Sequence, residues 1–204
     1  RTISVPESPL GLALSPDGAR VYVANRGANS VSIIDTASNA VTGSVPVGSE
    51  PRAVAVNASG TKAYVANTTA GTVSVIDTAS NTVVATASVG SQPHWLAATP
   101  DGRRIYVSNS GSGTVSVIAT DTDTVVQTVA VGGIPEGVVA LPDGSAVWVG
   151  KCTTGAASIV VLNTADYSMT TIAVPPPSFY AENMLALAVA DPTARFAGRV
   201  TRAT

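Results

Sequence analysis

The sequence predicts an all-β propeller built of four-stranded blades, each 42 residues long. Three observations predict it. Landmark residues return at a fixed interval: Pro9, Pro51, Pro93 and Pro135 are 42 residues apart, and so are Gly18, Gly60, Gly102 and Gly144. Each unit holds four short runs rich in β-branched residues, separated by Gly, Asn, Asp, Ser and Pro. No stretch of useful length carries the period of an amphipathic helix. A period in the forties belongs to stacked supersecondary units, and four antiparallel strands per unit make one blade.

In the second unit, Ala53 to Val56 is a short apolar run ended by the turn signal "NASG". Being apolar on both faces, it is expected to line the centre, between neighbouring blades. Lys62 to Ala66, "KAYVA", is the second strand and "NTTAG" ends it. Its aromatic recurs as Tyr22, Tyr64, Tyr106 and Trp148, and a large ring at one strand position is expected to fill the gap between adjacent sheets. Thr72 to Ile76, "TVSVI", is the third strand, ended by "DTASN". Thr82 to Val89, "TVVATASV", is the fourth.

These boundaries divide the chain into a closing strand (1–8), blades at 9–50, 51–92, 93–134 and 135–177, and a partial fifth blade at 178–204. The segment "RTISV" matches the fourth strand of a preceding blade. The fifth unit departs from the period, with Leu187 the best match to Val138 and "PPPSFYAENM" carrying extra residues. Two strands are expected after it, near Leu185 to Ala190 and near Arg195 to Val200. Arg1 stands where a complete chain would begin with Met, so a leader has been removed or this is a piece of a longer chain. The unfinished fifth unit favours the piece. A five-bladed ring with a three-stranded closing blade, and closure through a second chain, are the alternatives.

Composition narrows the function classes. With 11 Lys and Arg against 13 Asp and Glu, the net charge is −2, the wrong sign for a protein that mainly grips phosphate backbones. No stretch approaches the ~20 apolar residues of a membrane helix. Cys152 is the only cysteine, so no intrachain disulfide forms.

The segments "RVYVANRGANSVSIIDTASNAV", "KAYVANTTAGTVSVIDTASNTV" and "RIYVSNSGSGTVSVIATDTDTV" resemble the YVTN-type β-propeller repeat of archaeal surface-layer proteins and of YncE-like periplasmic or secreted bacterial proteins. The resemblance covers Pro9 to about Val174. It implies an extracytoplasmic propeller, in a family whose rings usually have seven blades and would need roughly 290 residues at this repeat length. Its matching residues are turn formers and core fillers, so it fixes fold and leaves function to the loops.

Candidate site residues follow from where the repetition breaks. Leu10, Arg52, His94 and Glu136 follow the repeated Pro and differ in every unit. A constant scaffold with a variable position at the ring mouth is the pattern of a recognition surface. Trp95 replaces the small Gly11, Ala53 and Gly137, and reads as extra core in preference to a stacking platform. Lys151 replaces Asn25, Asn67 and Asn109, and the loop "KCTTGAAS" that it opens is two residues longer than its counterparts. Lys151 beside Cys152 would lower the thiol's pKa, although an inert thiol is the plainer reading. Phe179 and Tyr180 add two rings in a loop that elsewhere has none.

Asp17, Asp101 and Asp143 sit in "PDG" turns. "DTDT" at Asp121 lacks the Gly and Glu of a calcium loop. His94 is the only histidine and G-x-S-x-G is absent, so neither a multi-His metal site nor a serine hydrolase is signalled, and no cofactor is expected. Asn57 and Asn67 fit the glycosylation sequon, as do many turns.

The reading is therefore a non-enzymatic binding scaffold whose partner is a protein, glycan or small molecule, with open blade edges available for self-association. Relatives imply two alternatives. A lactonase-like hydrolase would draw on Glu136, Glu182 and Asn183. Single-stranded nucleic acid binding would draw on Arg52, His94 and Trp95, against the charge balance.

Overall fold

The computed structural model describes residues 2–153 and 156–174. Sixteen strands form in chain order: β1 (Pro9–Leu14), β2 (Arg20–Asn25), β3 (Ser30–Asp35), β4 (Ala40–Pro46), β5 (Pro51–Val56), β6 (Lys62–Asn67), β7 (Thr72–Asp77), β8 (Thr82–Ser88), β9 (Pro93–Ala98), β10 (Arg104–Asn109), β11 (Thr114–Ala119), β12 (Thr124–Ala130), β13 (Ile134–Ala140), β14 (Ala146–Thr153), β15 (Ala156–Asn163) and β16 (Met169–Val174). They make four separate four-stranded antiparallel sheets in sequence order, and the described residues hold no helix. No described helix is long and apolar enough to cross a membrane.

The first strands β1, β5, β9 and β13 pack side by side, while the outermost strands touch only lightly. The sheets therefore fan out as an arc of blades. Three apolar clusters fill the gaps between them. Tyr22 lies with Val54 and Val65 of the next blade, Tyr64 with Leu96 and Val107, and Tyr106 with Val138 and Val149. All three tyrosines are 1% exposed or less, so the recurring ring does fill the gap between sheets. Trp148 holds the same place in β14 and is half-buried.

The turns carry their own chemistry. In "SPDG" the Asp17 carboxylate accepts from Ser15 Oγ and Ala19 N, and Gly18 takes φ 73°, a left-handed conformation that a side chain would strain. Asp123, from the "DTDT" turn, serves the neighbouring blade. It accepts from Lys62 Nζ at 2.7 Å and from the Tyr64 hydroxyl at 2.9 Å. The sequon asparagines are buried, with Asn67 0% and Asn57 5% exposed, and their amides donate to hydroxyls of their own blade.

The structure departs from expectation in one place. The long "KCTTGAAS" loop is in large part strand: β14 and β15 continue pairing through Lys151↔Ser158, Cys152↔Ala157 and Thr153↔Ala156. The two added residues lengthen the hairpin instead of its turn, because each added pair satisfies backbone groups that a loop would leave to solvent. Among the described residues Thr2 to Val5 joins none of the four sheets, and the partial fifth blade that such a closing strand would complete lies outside those residues. The partial fifth blade and "PPPSFYAENM" lie outside the described residues.

Candidate functional site

The site begins with one extra residue in each inner strand. Pro51 faces Asn67 and Ala53 faces Ala66, so two steps along β5 match one along β6 and Arg52 is bulged out of the ladder. The same slip between Pro93↔Asn109 and Trp95↔Ser108 bulges out His94. β1 and β13 slip by one residue between Pro9 and Leu12 and between Pro135 and Val138, the stretches that hold Leu10 and Glu136. A bulge re-aims a side chain without disturbing the strand beyond it. In the second and third blades the position that varies between repeats is thus the one lifted out of its sheet.

The residue before the Pro is also unusual. Ser8, Glu50 and Gln92 have φ of 53°, 54° and 51°, a left-handed conformation that L-residues seldom adopt. Surrounding bonds hold it in place. Glu50 O accepts from Thr68 N at 3.0 Å, and Glu50 N donates to Asn29 Oδ1 at 2.9 Å.

These two features build a cleft of about 450 Å³ on the face where the β2–β3 and β6–β7 loops meet the starts of β5 and β9; Arg26, Glu50, Arg52, Thr69, Gln92 and His94 are among its walls. Glu50 is gripped from two sides: Thr69 Oγ1 donates to one carboxylate oxygen at 2.8 Å, and Arg26 Nη2 to the other at 3.0 Å. The Thr69 bond first and the Arg26 bond second hold its carboxyl below the usual carboxylate range. His94 Nδ1 lies 2.7 Å from Glu136 Oε2, and their side chains are 15% and 14% exposed. With the carboxylate as acceptor, Nδ1 carries the proton, and in the neutral ring Nε2 keeps its lone pair.

The structure thus brings Arg52 and His94 into one cleft and ties Glu136 to it through the imidazole. It does not bring Lys151 there: the Lys151 ammonium donates to Val131 O instead. Leu10 is 51% exposed on the first blade, away from the cleft. Trp95 is 47% exposed, so the core reading fails. At this repeat position a methyl group is enclosed, Ala53 being 3% exposed, whereas the much larger indole of Trp95 extends past the enclosed space to solvent. Cys152 is a free, half-buried thiol within the extended hairpin. Phe179, Tyr180, Glu182 and Asn183 lie outside the described residues. Among those described, no group of three or more His, Cys, Asp or Glu is placed to hold a metal. Sequence reading passed over Arg26, Glu50 and Thr69. Their only signal was their place, in the two loops and the Pro-preceding position that border the bulge.

Residues 8–104 match the family model of YNCE-like beta-propellers. A stretch of 41 residues is 49% identical to the PE-PGRS family protein PE_PGRS18 of Mycobacterium tuberculosis, covering 20% of this chain and 9% of that protein. Among solved structures, the Kuenenia stuttgartiensis hydrazine synthase superposes with a TM-score of 0.80 at 27% identity, over 85% of this chain and 51% of its own. A putative 6-phosphogluconolactonase from Bacteroides uniformis gives 0.69 at 17% identity, over 81% and 55%. The dihydro-heme d1 dehydrogenase NirN, in complex with DHE, gives 0.70 at 16%, over 90% and 42%. The chain spans about half the length of these solved chains and a small part of the curated relative. The last two likenesses concern the fold alone. The fold is that of a β-propeller, here seen as four blades.

Proposed function

We propose that this propeller is a non-enzymatic, extracytoplasmic binding module, of the surface-layer, secreted or periplasmic kind, whose ligand sits on the cleft face. One observation carries the reading: the residues that differ between otherwise repeated units, Arg52 and His94, are bulged into a shared cleft beside the strained Glu50. A packing role would not need a charged residue lifted out of a ladder, or a left-handed glutamate beside it. The experiment is capture from arrays of glycans and small metabolites. The comparison sets the parent against an Arg52→Ala/His94→Ala double variant and an Asp77→Asn variant at the distant β7–β8 turn. Capture should be lost in the first and kept in the second. Equal capture by all three would remove the cleft from the reading.

The His94–Glu136 pair favours one second reading, a hydrolase in which a carboxylate-held imidazole acts as general base on a bound lactone or ester. A lactone screen decides between the two. Turnover in the parent that disappears in His94→Gln would make the protein an enzyme. Nucleic acid recognition is the weakest of the three readings, given a net charge of −2.

A further inference from the structure

The outer strand of a sheet leaves alternate N–H and C=O groups without a strand partner on its far side, the arrangement most open to pairing with another chain. Among the described residues the outer strands are β4, β8, β12 and β16, and none contains Asp, Glu, Lys or Arg, the charges that commonly guard an edge. Three of them carry a different guard. The ladder slips between Ile33 and Ile34, between Val75 and Ile76 and between Val117 and Ile118, which bulges Thr42, Val84 and Val126 out of β4, β8 and β12. A bulge twists an edge and breaks the even run of groups that an added strand would need. β16 has no bulge: it pairs with β15 without a slip from Ala157↔Val174 to Leu162↔Met169. The sequence accounts for the difference. By their ladder partners Met169 corresponds to Val125 and Thr170 to Gln127, so the counterpart of Val126 is missing from the fourth unit. β16 is therefore regular, uncharged and exposed from Met169 to Ala173. Its sequence, "MTTIAV", also suits its own copy. Thr and Ile favour the pleated backbone, and two such strands laid antiparallel oppose no like charges.

We propose that β16 is a self-association edge: two copies of this chain pair β16 to β16, antiparallel about a two-fold axis, and join their fourth blades into one continuous sheet. None of the cleft walls lies on β16, so this association stands apart from the recognition reading. A strand of 6 residues on each side makes a small interface of the transient class. Sedimentation of the 204-residue chain should therefore show a reversible monomer–dimer equilibrium, with a dissociation constant of about 10–100 µM. Thr171→Lys, which sets two ammonium groups close to the axis, should weaken the dimer at least about tenfold. Inserting a valine between Met169 and Thr170 should rebuild the bulge and weaken it likewise. Thr128→Lys, the matching change on the bulged β12, should leave the dimer intact. Melting points report that each variant folds. Amide exchange in the parent reads the same edge without any variant: protection of outward-facing amides along β16 should rise with protein concentration, and along β12 it should not. A chain that stays monomeric at about 500 µM would overturn the proposal. So would a dimer that survives Thr171→Lys, as one made by the exposed Leu10, Leu12 and Leu14 of β1 would. Equal weakening by Thr128→Lys, or exchange along β16 that ignores concentration, would overturn it too.

Discussion

Tyr64 shows how one side chain joins packing, hydrogen bonding and titration. Its ring is 0% exposed between two blades, and its hydroxyl donates to Asp123 of the neighbouring blade. Removing the ring should leave a cavity in an interface of fixed spacing. Tyr64→Ala is therefore expected to destabilise by about 3–5 kcal/mol. Tyr64→Phe keeps the ring and loses one charge-assisted bond, about 1–2 kcal/mol. Chemical denaturation of both variants checks the order, and a Phe variant as damaged as the Ala variant would contradict it. Burial first, and then the Asp123 bond, raise the Tyr64 pKa, and burial pushes Tyr106 up to about 12. Groups whose folded pKa is raised contribute stability that is intact below the unfolded tyrosine value of about 10 and lost as pH climbs above it. The denaturation midpoint should accordingly hold up to about pH 10 and then fall, less steeply in Tyr64→Phe. At this scale the sequence concealed one device. Asn25, Asn67 and Asn109 looked like turn residues, yet each is 0% exposed, with its amide donating to hydroxyls five and seven residues on. The signal was present in the repetition of that spacing. What hid it is that Asn is equally at home in a turn.

At the scale of the element, strand identity was legible and strand register was not. β-Branched runs between turn residues mark where strands lie, because propensity and turn chemistry are local. A bulge is a relation between two strands, and nothing in "PRAVAV" or "PHWLAA" says that its second residue leaves the ladder. The variability of Arg52 and His94 pointed to the position without giving its geometry. The same non-local cause hid the extension of β14 and β15. Two predictions belong here. Gly11→Ala would set a Cβ 2.5 Å from Arg52 O and 2.7 Å from Ala53 Cα, both backbone atoms of the next blade. The blades must separate or shear to admit it, at a cost of about 1–3 kcal/mol by thermal or denaturant melting. An unchanged midpoint would mean that the inner strands are less tightly apposed than they stand. The turn aspartates govern the acid side. The Ser38 hydroxyl and N–H lower the Asp35 pKa, and the Ser80 N–H and hydroxyl lower that of Asp77. Stability from depressed carboxyls is present above the unfolded value of about 4 and lost as pH falls through the folded one. Asp35→Asn/Asp77→Asn should therefore flatten the decline in midpoint below about pH 4, and an unaltered slope would assign that decline to other groups.

For the whole molecule, repetition makes mutational cost predictable by comparison. Val54, Leu96 and Val138 occupy one position in successive units and are 7%, 5% and 3% exposed, each clustered with the tyrosine of the blade before it. Leu12 occupies the same position in the first unit and is 68% exposed, with Leu10 and Leu14 beside it at 51% and 56%. The sequence treats all four positions alike. The difference arises only from which blade faces have a described neighbour, which no local pattern encodes. Apolar burial acts through area removed from water, so identical chemistry must give unequal energies here. Leu96→Ala should cost about 2–4 kcal/mol, as a truncation in a filled interface. Leu12→Ala should cost well under about 1 kcal/mol, since little area is withdrawn from water around it. Paired denaturant titrations of the two variants measure the contrast directly. Comparable losses would mean that the face of Leu10, Leu12 and Leu14 is covered in solution, and would redirect attention from the cleft to whatever packs against the first blade.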